Sequence, residues 1–471
     1  MTTATVAIVT LNVSVSQAAT PSLLQQTGAF ISQGGSTQTK NTLVSYSTLA
    51  AITDVLTPPV ALSSLTWSAE VVTATTAAPH GWTDGDIIPV TIAGAAPNGY
   101  NGTFNATVTG ASTFTYPLTS NPGSETVPGT VVLGAAAELL AMATTYFANQ
   151  NPPAINILEL GEGTVNSGVT ALTTWLNANP LTVYGWLVPR EWDGNTDFIA
   201  LALTYQAPNK LTYFYTTMVL ADITDGATPY TGNKAVFGEV EASQSSGTTL
   251  PATEFSLAAL FGQALSLSPN STNRVTPLSY VPLYGVTPYP IPGNQSTLQT
   301  LQNANVGYVG TGAQGGLPST NIAFKGILQD GNQFLFWYSG DWFQINSQQA
   351  LANEIINGSQ PGGSPLYYDQ NGINRLQNRL VQTAKQAVSA GLATGTVLAT
   401  QLSTAQFQAN YNNGLYEGYI PINAEPLAIY APANPNDYKI GKYAGFTSVY
   451  TPTLGFLNIF FNLNITNLLI P

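Results

Sequence analysis

The sequence predicts an α/β core, a mixed sheet flanked by helices, interrupted by a small all-β insert and bracketed by extended strand arms at both ends. Three observations carry this. Between Ala136 and Leu267 short apolar runs alternate with amphipathic stretches of about 10–15 residues, the pattern of strands and helices in a largely parallel sheet. From about 65 to 134 Thr, Gly, Ala, Pro and Asn dominate, and turn signals recur at Pro79-His80-Gly81, Asp84-Gly85, Pro97-Asn98-Gly99, Asn101-Gly102 and Pro122-Gly123, as in a β-sandwich or barrel. Both ends alternate apolar with polar residues, at Val9, Leu11, Val13 and Val15 and again at Leu457, Ile459, Phe461, Leu463 and Ile465, the period of a half-buried strand.

The elements follow in order. A helix is expected around Ser45 to Val55, ended by Pro58-Pro59. Within the insert, Ile87 to Ile92, Thr103 to Val108 and Thr113 to Tyr116 are strand-like. Helices are then expected over Ala136 to Asn149, Gly168 to Asn177, Thr196 to Tyr205 and Thr253 to Leu267. The intervening strands are Ala154 to Leu160, Leu181 to Val188, Leu211 to Leu220 and Ala235 to Glu241. Pro269 to Gly316, rich in Pro, Tyr, Gly and Asn, reads as long loops. Ala323 to Leu328 and Phe334 to Trp337 suggest a strand pair turned at Asp330-Gly331. Asn346 to Asn357 is helical, and Ile373 to Gly391 more plainly so, with Ile373, Leu376, Leu380, Val381, Ala384, Ala387 and Val388 on one face and Gly391 as its cap. A β-type region closes the chain. The expected divisions are an arm at 1–20, a core at 21–64 with 135–330, the insert at 65–134, a C-terminal α/β part at 331–454 and an arm at 455–471.

Composition narrows the function. Charged residues make up 7% of the 471 residues, against about 25% in a typical soluble protein. The surface is therefore neutral and polar, which suits a protein packed against copies of itself better than a freely dispersed one. A net charge of −12, with Lys40 the only basic side chain in residues 1–189, argues against nucleic acid, which needs clustered Lys and Arg. Without cysteine there is no disulfide, thiolate metal site or cysteine nucleophile. The start lacks a basic leader, and the most apolar stretch, Gly455 to Leu469, carries Asn458, Asn462, Asn464 and Asn467, so neither export nor membrane insertion is expected.

Catalysis finds little support. The single histidine, His80, lies in a turn with no nucleophile elbow near it, so no Ser-His-Asp triad and no histidine metal site is expected. Carboxylates fall close together at Asp84/Asp86, Glu159/Glu162, Asp193/Asp197, Asp222/Asp225 and Glu239/Glu241, yet none is framed more sharply than the others. Glu159-Leu160-Gly161-Glu162-Gly163 follows a strand and precedes a helix, but it lacks the third glycine and any cation for phosphate, so it reads as a tight connection. No catalytic residue, cofactor or metal ligand is assigned. Arg375, Arg379 and Lys385 gather on one helix within about 80° of Arg375. They are either an ordinary solvated face or a docking face for an acidic partner.

The order of several motifs resembles the tail sheath proteins of contractile-tailed, myovirus-type bacteriophages. Tyr46 to Ile52 (YSTLAAI), resumed after the insert by Ala136 to Phe147 (AAELLAMATTYF), is similar to the family's alanine-rich helical signature. Asn151 to Leu158 (NPPAINIL) resembles its proline-then-strand step. Asp341 to Asn346 (DWFQIN), Asn371-Gly372-Ile373 and Gly391-Leu392 resemble its C-terminal, tube-proximal domain. The resemblance spans most of 1–62 and 136–471. The insert, with His80-Gly81-Trp82, Gly85-Asp86, Tyr100 to Phe104 and Thr113 to Tyr116, resembles a β-domain that recurs in phage tail proteins and departs from minimal sheath proteins.

The resemblance implies stacked hexameric rings of this chain around an inner tail tube protein, with baseplate and tail terminator proteins as further partners. It also implies that the terminal arms join neighbours by strand exchange, and that the place of action is a virion tail assembled in the host cytoplasm. Five apolar side chains, the number in the C-terminal arm, contribute roughly 7–15 kcal/mol on burial. Ordering about ten residues costs a similar amount, so each arm is marginal alone and only a lattice of them is stable. A surface adhesin or S-layer-type protein fits the low charge as well, and a glycan-binding or glycan-degrading tail enzyme is the third reading. The absent export signal and the α/β middle weigh against the first.

Overall fold

A computed structural model describes residues 24–457 except 83, 86, 150–151, 162, 242–253, 271–273, 290–294, 315–316 and 361–363. Its first two strands, β1 (Gly28–Ser32) and β2 (Thr42–Tyr46), are followed by a short helix α1 (Leu49–Thr53), which Thr48 caps by accepting the Ala51 amide at 3.2 Å. The helix expected from Ser45 is thus shorter. Ser45 and Tyr46 instead pair with Asn156 and Ile155, and the ladder wins over local propensity.

The insert is a closed barrel of β3 (Val60–Ser68), β4 (Val71–Thr76), β5 (Ile87–Ala93), β6 (Gly102–Gly110), β7 (Thr113–Pro117) and β8 (Thr130–Leu133). Its order is β3-β4-β7-β6-β5-β8, with β8 pairing back onto β3, so it starts at Val60, ahead of the expected 65. Buried and exposed residues alternate along β4 and β5 because only the inward face meets the core of Val72, Val90, Val108, Phe114 and Tyr116. Closure leaves no free edge.

Beyond it the chain alternates: α2 (Gly134–Ala148), β9 (Ile155–Glu159), α3 (Val165–Ala178), β10 (Gly185–Leu187), α4 (Thr196–Leu203), β11 (Tyr213–Thr217), β12 (Val236–Val240) and α5 (Ser256–Leu265). Then come α6 (Gln295–Asn303), β13 (Gly307–Gln314) and β14 (Leu317–Phe324). The eight-stranded sheet runs β14-β13-β12-β11-β10-β1-β9-β2. Its six central strands are parallel, and β14 and β2 close the two edges antiparallel.

Strands β1, β11 and β12 are buried at every residue because helices cover both faces. On one face Phe30 meets Tyr146 of α2 at 5.5 Å, and Tyr215 meets Phe261 of α5 at 4.7 Å. On the other Trp186 meets Trp175 of α3 at 5.4 Å, and Phe214 meets Phe198 of α4 at 5.7 Å. Gly28 and Gly185 are register partners beneath α5. A Cβ on Gly28 would lie 2.2 Å from Leu265 Cδ1, and one on Gly185 2.7 Å from Phe261 Cε2, so both are glycine to let the helix sit down.

Two expectations fail here. The loops expected over Pro269 to Gly316 contain α6 and β13; the first has only Leu298 and Leu301 as apolar anchors and the second is glycine-rich, so neither stands out by pattern. Phe334 to Trp337 is not a strand but the first turn of α7 (Phe334–Gly358), which continues through the helix expected from Asn346. Aromatic residues favour strands locally. Here Phe334 and Tyr338, one helical turn apart, pack with their rings tilted at 5.7 Å, and Phe334 lies 5.8 Å from Tyr213, so packing against the sheet decides. The Asp330-Gly331 turn is real, closed by an Ile327–Gln333 bridge.

The described chain divides into two compact units. The first holds the sheet and barrel (24–342, 386–394 and 451–457). The second is Phe343–Lys385 with Gly395–Tyr450, so it begins inside α7 and not at 331. It contains most of α8 (Gln370–Ser389), where Ile373, Leu380, Val381 and Ala384 are buried at helical spacing. Beside it run β15 (Thr396–Thr400), α9 (Thr404–Asn412), β16 (Tyr419–Ala424), α10 (Leu427–Ala433), α11 (Pro435–Lys439) and β17 (Phe446–Ser448). Strand β15 is parallel to β16, and β17 is antiparallel to it. The buried Gln377 of α8 donates to Thr400 O at 2.7 Å and Ile422 O at 2.8 Å, tying that helix to the small sheet.

Candidate functional site

Most residues proposed for the arms, Val9, Leu11, Val13, Val15, Ile459, Phe461, Leu463 and Ile465, lie outside the described residues. Leu457 is the last that is described. The stretch leading to it is held by the first unit: the Thr453 amide donates to Leu392 O at 2.8 Å, and Gly455 exchanges two 2.8 Å bonds with the Gln333 side chain. The Tyr280 hydroxyl donates to Leu457 O. The first of these belongs to an isolated antiparallel bridge between Ala393 and Pro452, in which the Thr394 amide also donates to Thr451 O at 3.0 Å; the others involve side chains.

Sheet edges that could receive a strand are present in both units. Among the described residues β15 pairs only with β16, and Leu398 at its middle is exposed. In the first unit β2 is the antiparallel edge, with Val44 exposed. The second unit is also rich in uncovered apolar groups. Ile355, Ile356, Tyr367, Leu398, Tyr411, Leu415, Tyr419, Ile429, Tyr438 and Ile440 are ten of the twenty large apolar side chains exposed among the described residues. Its five basic residues (Arg375, Arg379, Lys385, Lys439, Lys442) balance five acidic ones (Glu354, Asp369, Glu417, Glu425, Asp437), so the net charge of −12 lies elsewhere in the chain.

Arg375 and Arg379, proposed as a docking face, share one carboxylate. Glu354 of α7 takes Arg375 Nη2 at 2.5 Å and Arg379 Nε at 2.7 Å. Burial alone would raise the Glu354 pKa, but the two guanidiniums outweigh it and hold the carboxyl below its ordinary range. Arg375 also donates to Pro365 O at 2.7 Å. The pair therefore clamps α7 to α8. Lys385 is exposed on the same helix and forms no ion pair among the described residues.

The densest charge cluster was not legible in the sequence. It lies at the carboxyl ends of the parallel strands, where open α/β sheets place their ligands. Arg190, just after β10, bonds Glu241 Oε2 at 2.7 Å through Nε and Glu254 O at 2.8 Å through Nη2, and stands 4.0 Å over the Phe255 ring. Its amide donates to Glu138 Oε1 of α2 at 3.0 Å. Burial raises the pKa of both Glu138 and Glu241, and Arg190 offsets part of the rise. Glu239, two residues before Glu241 and on the same face, meets the Ser256 hydroxyl at 2.7 Å.

Nearby, Glu159 fills an anion nest. Its carboxylate accepts Ser32 Oγ, the Gly34 amide, the amide and hydroxyl of Ser36 and the Gly161 amide, all between 2.7 and 3.0 Å. The start of this connection, Glu159 to Gly161, thus folds onto the loop after β1.

His80 sits in the barrel, stacked on Trp82 at 4.3 Å and accepting the Trp82 amide at Nδ1; burial lowers its pKa. Among the described residues no group of three or more His, Cys, Asp or Glu side chains is placed to hold a metal ion, and no helix is long and apolar enough to cross a membrane. No protein-family model matches the chain, and no curated protein matches it in sequence.

Proposed function

We propose that the chain is a structural subunit of a contractile phage tail sheath: a tail-sheath-like α/β protein that polymerises around an inner tail tube and performs no catalysis. The second unit carries the reading. It is electrically neutral, it exposes half of the large apolar side chains counted above, and its β15 edge is unpaired among the described residues. An uncovered edge strand recruits a strand from another chain. The alternating segments at residues 4–16 and 455–467 have the length and pattern to supply one. In this reading those arms link copies in stacked hexameric rings, and rotation of the rings about the arms shortens the sheath and drives the tube through the host envelope. The tube, baseplate and tail terminator proteins are its other partners, and its place is the virion tail. The closed barrel has no edge to lend and decorates the outside.

Deleting either 4–16 or 455–467 is expected to leave soluble, folded monomers in place of tubular assemblies under negative-stain microscopy. Long tubes formed by either truncated chain would sink the proposal. Arg375, Arg379 and Lys385 are proposed to face the tube. Reversing all three together would also break the Glu354 clamp, so Lys385→Glu is the cleaner variant. It is expected to weaken assembly on tubes while changing unfolding stability by no more than about 0.5 kcal/mol; undiminished assembly would remove Lys385 from the contact.

A further inference from the structure

Glu239 lies in β12 and Glu241 one residue past its end, and both carboxylates turn to the same side, toward Ser256 at the start of α5. Both are buried, at 0% and 1% exposure. The Ser256 hydroxyl lies 2.7 Å from Glu239 Oε1 and 3.3 Å from Glu241 Oε1. A hydroxyl has one proton and cannot donate to two carboxylates at once.

The two acids are not equivalent. Glu241 has Arg190 at 2.7 Å. Glu239 has no cation, and its Oε2 has no hydrogen-bond partner among the described residues. Thr217, its register partner on β11, also has a buried hydroxyl without one. The surrounding charged groups add no relief: Glu138 from α2 and Glu254 ahead of α5 are both acids, β13 presents Gly307, and Arg190 is already engaged by Glu241 and by Glu254 O. An isolated buried carboxylate is far less stable than the neutral acid.

We propose that Glu239, Ser256 and Glu241 form a shared-proton latch, in which one proton kept on Glu239 at neutral pH ties the start of α5 to the end of β12 and its loss in mild alkali releases the helix. Released, α5 uncovers the glycine pair and the aromatic rings of β1 and β11 beneath it. The latch does not depend on the assembly proposed above. Burial pushes Glu239 from the ordinary 4.5 up to about 8. A carboxyl whose pKa is higher in the folded state gives stability that is complete below about 4.5 and is lost as pH rises to about 8.

The experiment compares thermal unfolding of the full chain and of Glu239→Gln, which keeps an acceptor for Ser256 and cannot ionise, across that range. The wild type is expected to lose thermal midpoint steadily from pH 5 to pH 8, and the variant to lose clearly less. Parallel curves for the two proteins overturn the latch. Infrared spectroscopy gives an independent readout on the wild type even if the variant does not fold. Burial also pushes Glu191 up to about 7, so a protonated-carboxyl carbonyl band at pH 7 that bleaches on passing pH 8 and persists in Glu191→Gln supports the proposal, and its absence at pH 7 refutes it.

Discussion

Replacing Arg190 by Met is expected to destabilise the protein by about 3–5 kcal/mol at pH 7, the size of effect seen when one partner of a buried ion pair is removed. Whole domains are stable by only about 5–15 kcal/mol, so this is a large share. The reason is geometric. Among the described residues Arg190 is the one cation paired with Glu241, which is fully buried, and with Glu138, which is mostly so. Methionine keeps the packing over Phe255 but leaves two carboxyls to face each other. Their folded pKa values, already raised by burial, then rise further, so the loss should be greatest at high pH and shrink as the solution is acidified. Urea unfolding at pH 5 and pH 8 reads both parts. A variant within about 1 kcal/mol of the wild type at pH 8 would mean that the acids are relieved by something other than Arg190. The double variant Arg190→Met with Glu241→Gln should recover part of the loss, which separates charge from packing.

Replacing Glu159 by Ala comes second. It leaves three backbone amides and two hydroxyls with no acceptor in a buried nest. Each orphaned donor costs about 1–3 kcal/mol, and the loss should reach at least about 3 kcal/mol after relaxation. The vacated space is lined by donors and shaped for a carboxylate. Formate or acetate should therefore raise the thermal midpoint of the variant more than that of the wild type. No difference between the two responses would count against the nest as the source of the loss.

What sequence could and could not carry is clear from these same residues. Strands β9 to β12 were legible because apolar runs bounded by turns are the signature of parallel strands covered on both faces. Helix α8 was legible because seven apolar residues recur on one side and Gly391, at φ +75°, ends it. The start of α7 was not, since Phe334 to Trp337 favours a strand until Tyr213 and Tyr338 are placed beside it. Glu239 and Glu241 were visible as a close pair, indistinguishable from chance, because Ser256 and Arg190 reach them only through the fold. Arg190 and Glu241 are 51 residues apart, and Ser32 and Glu159 are 127. Arg375 and Arg379 were correctly placed together, but their shared carboxylate on another helix could not be read from their own.

The barrel enters through β3 and leaves through β8, and these two strands are hydrogen-bonded to each other from Val60 and Ala61 to Val131 and Thr130. Neighbouring strands in a sheet lie about 4.8 Å apart. The host chain thus sees a stem barely wider than a tight hairpin, whatever folds above it. Such a stem can lengthen, shrink or exchange its cargo over evolutionary time without shifting the register of β2 against β9, which makes this position a natural port for modules with duties of their own.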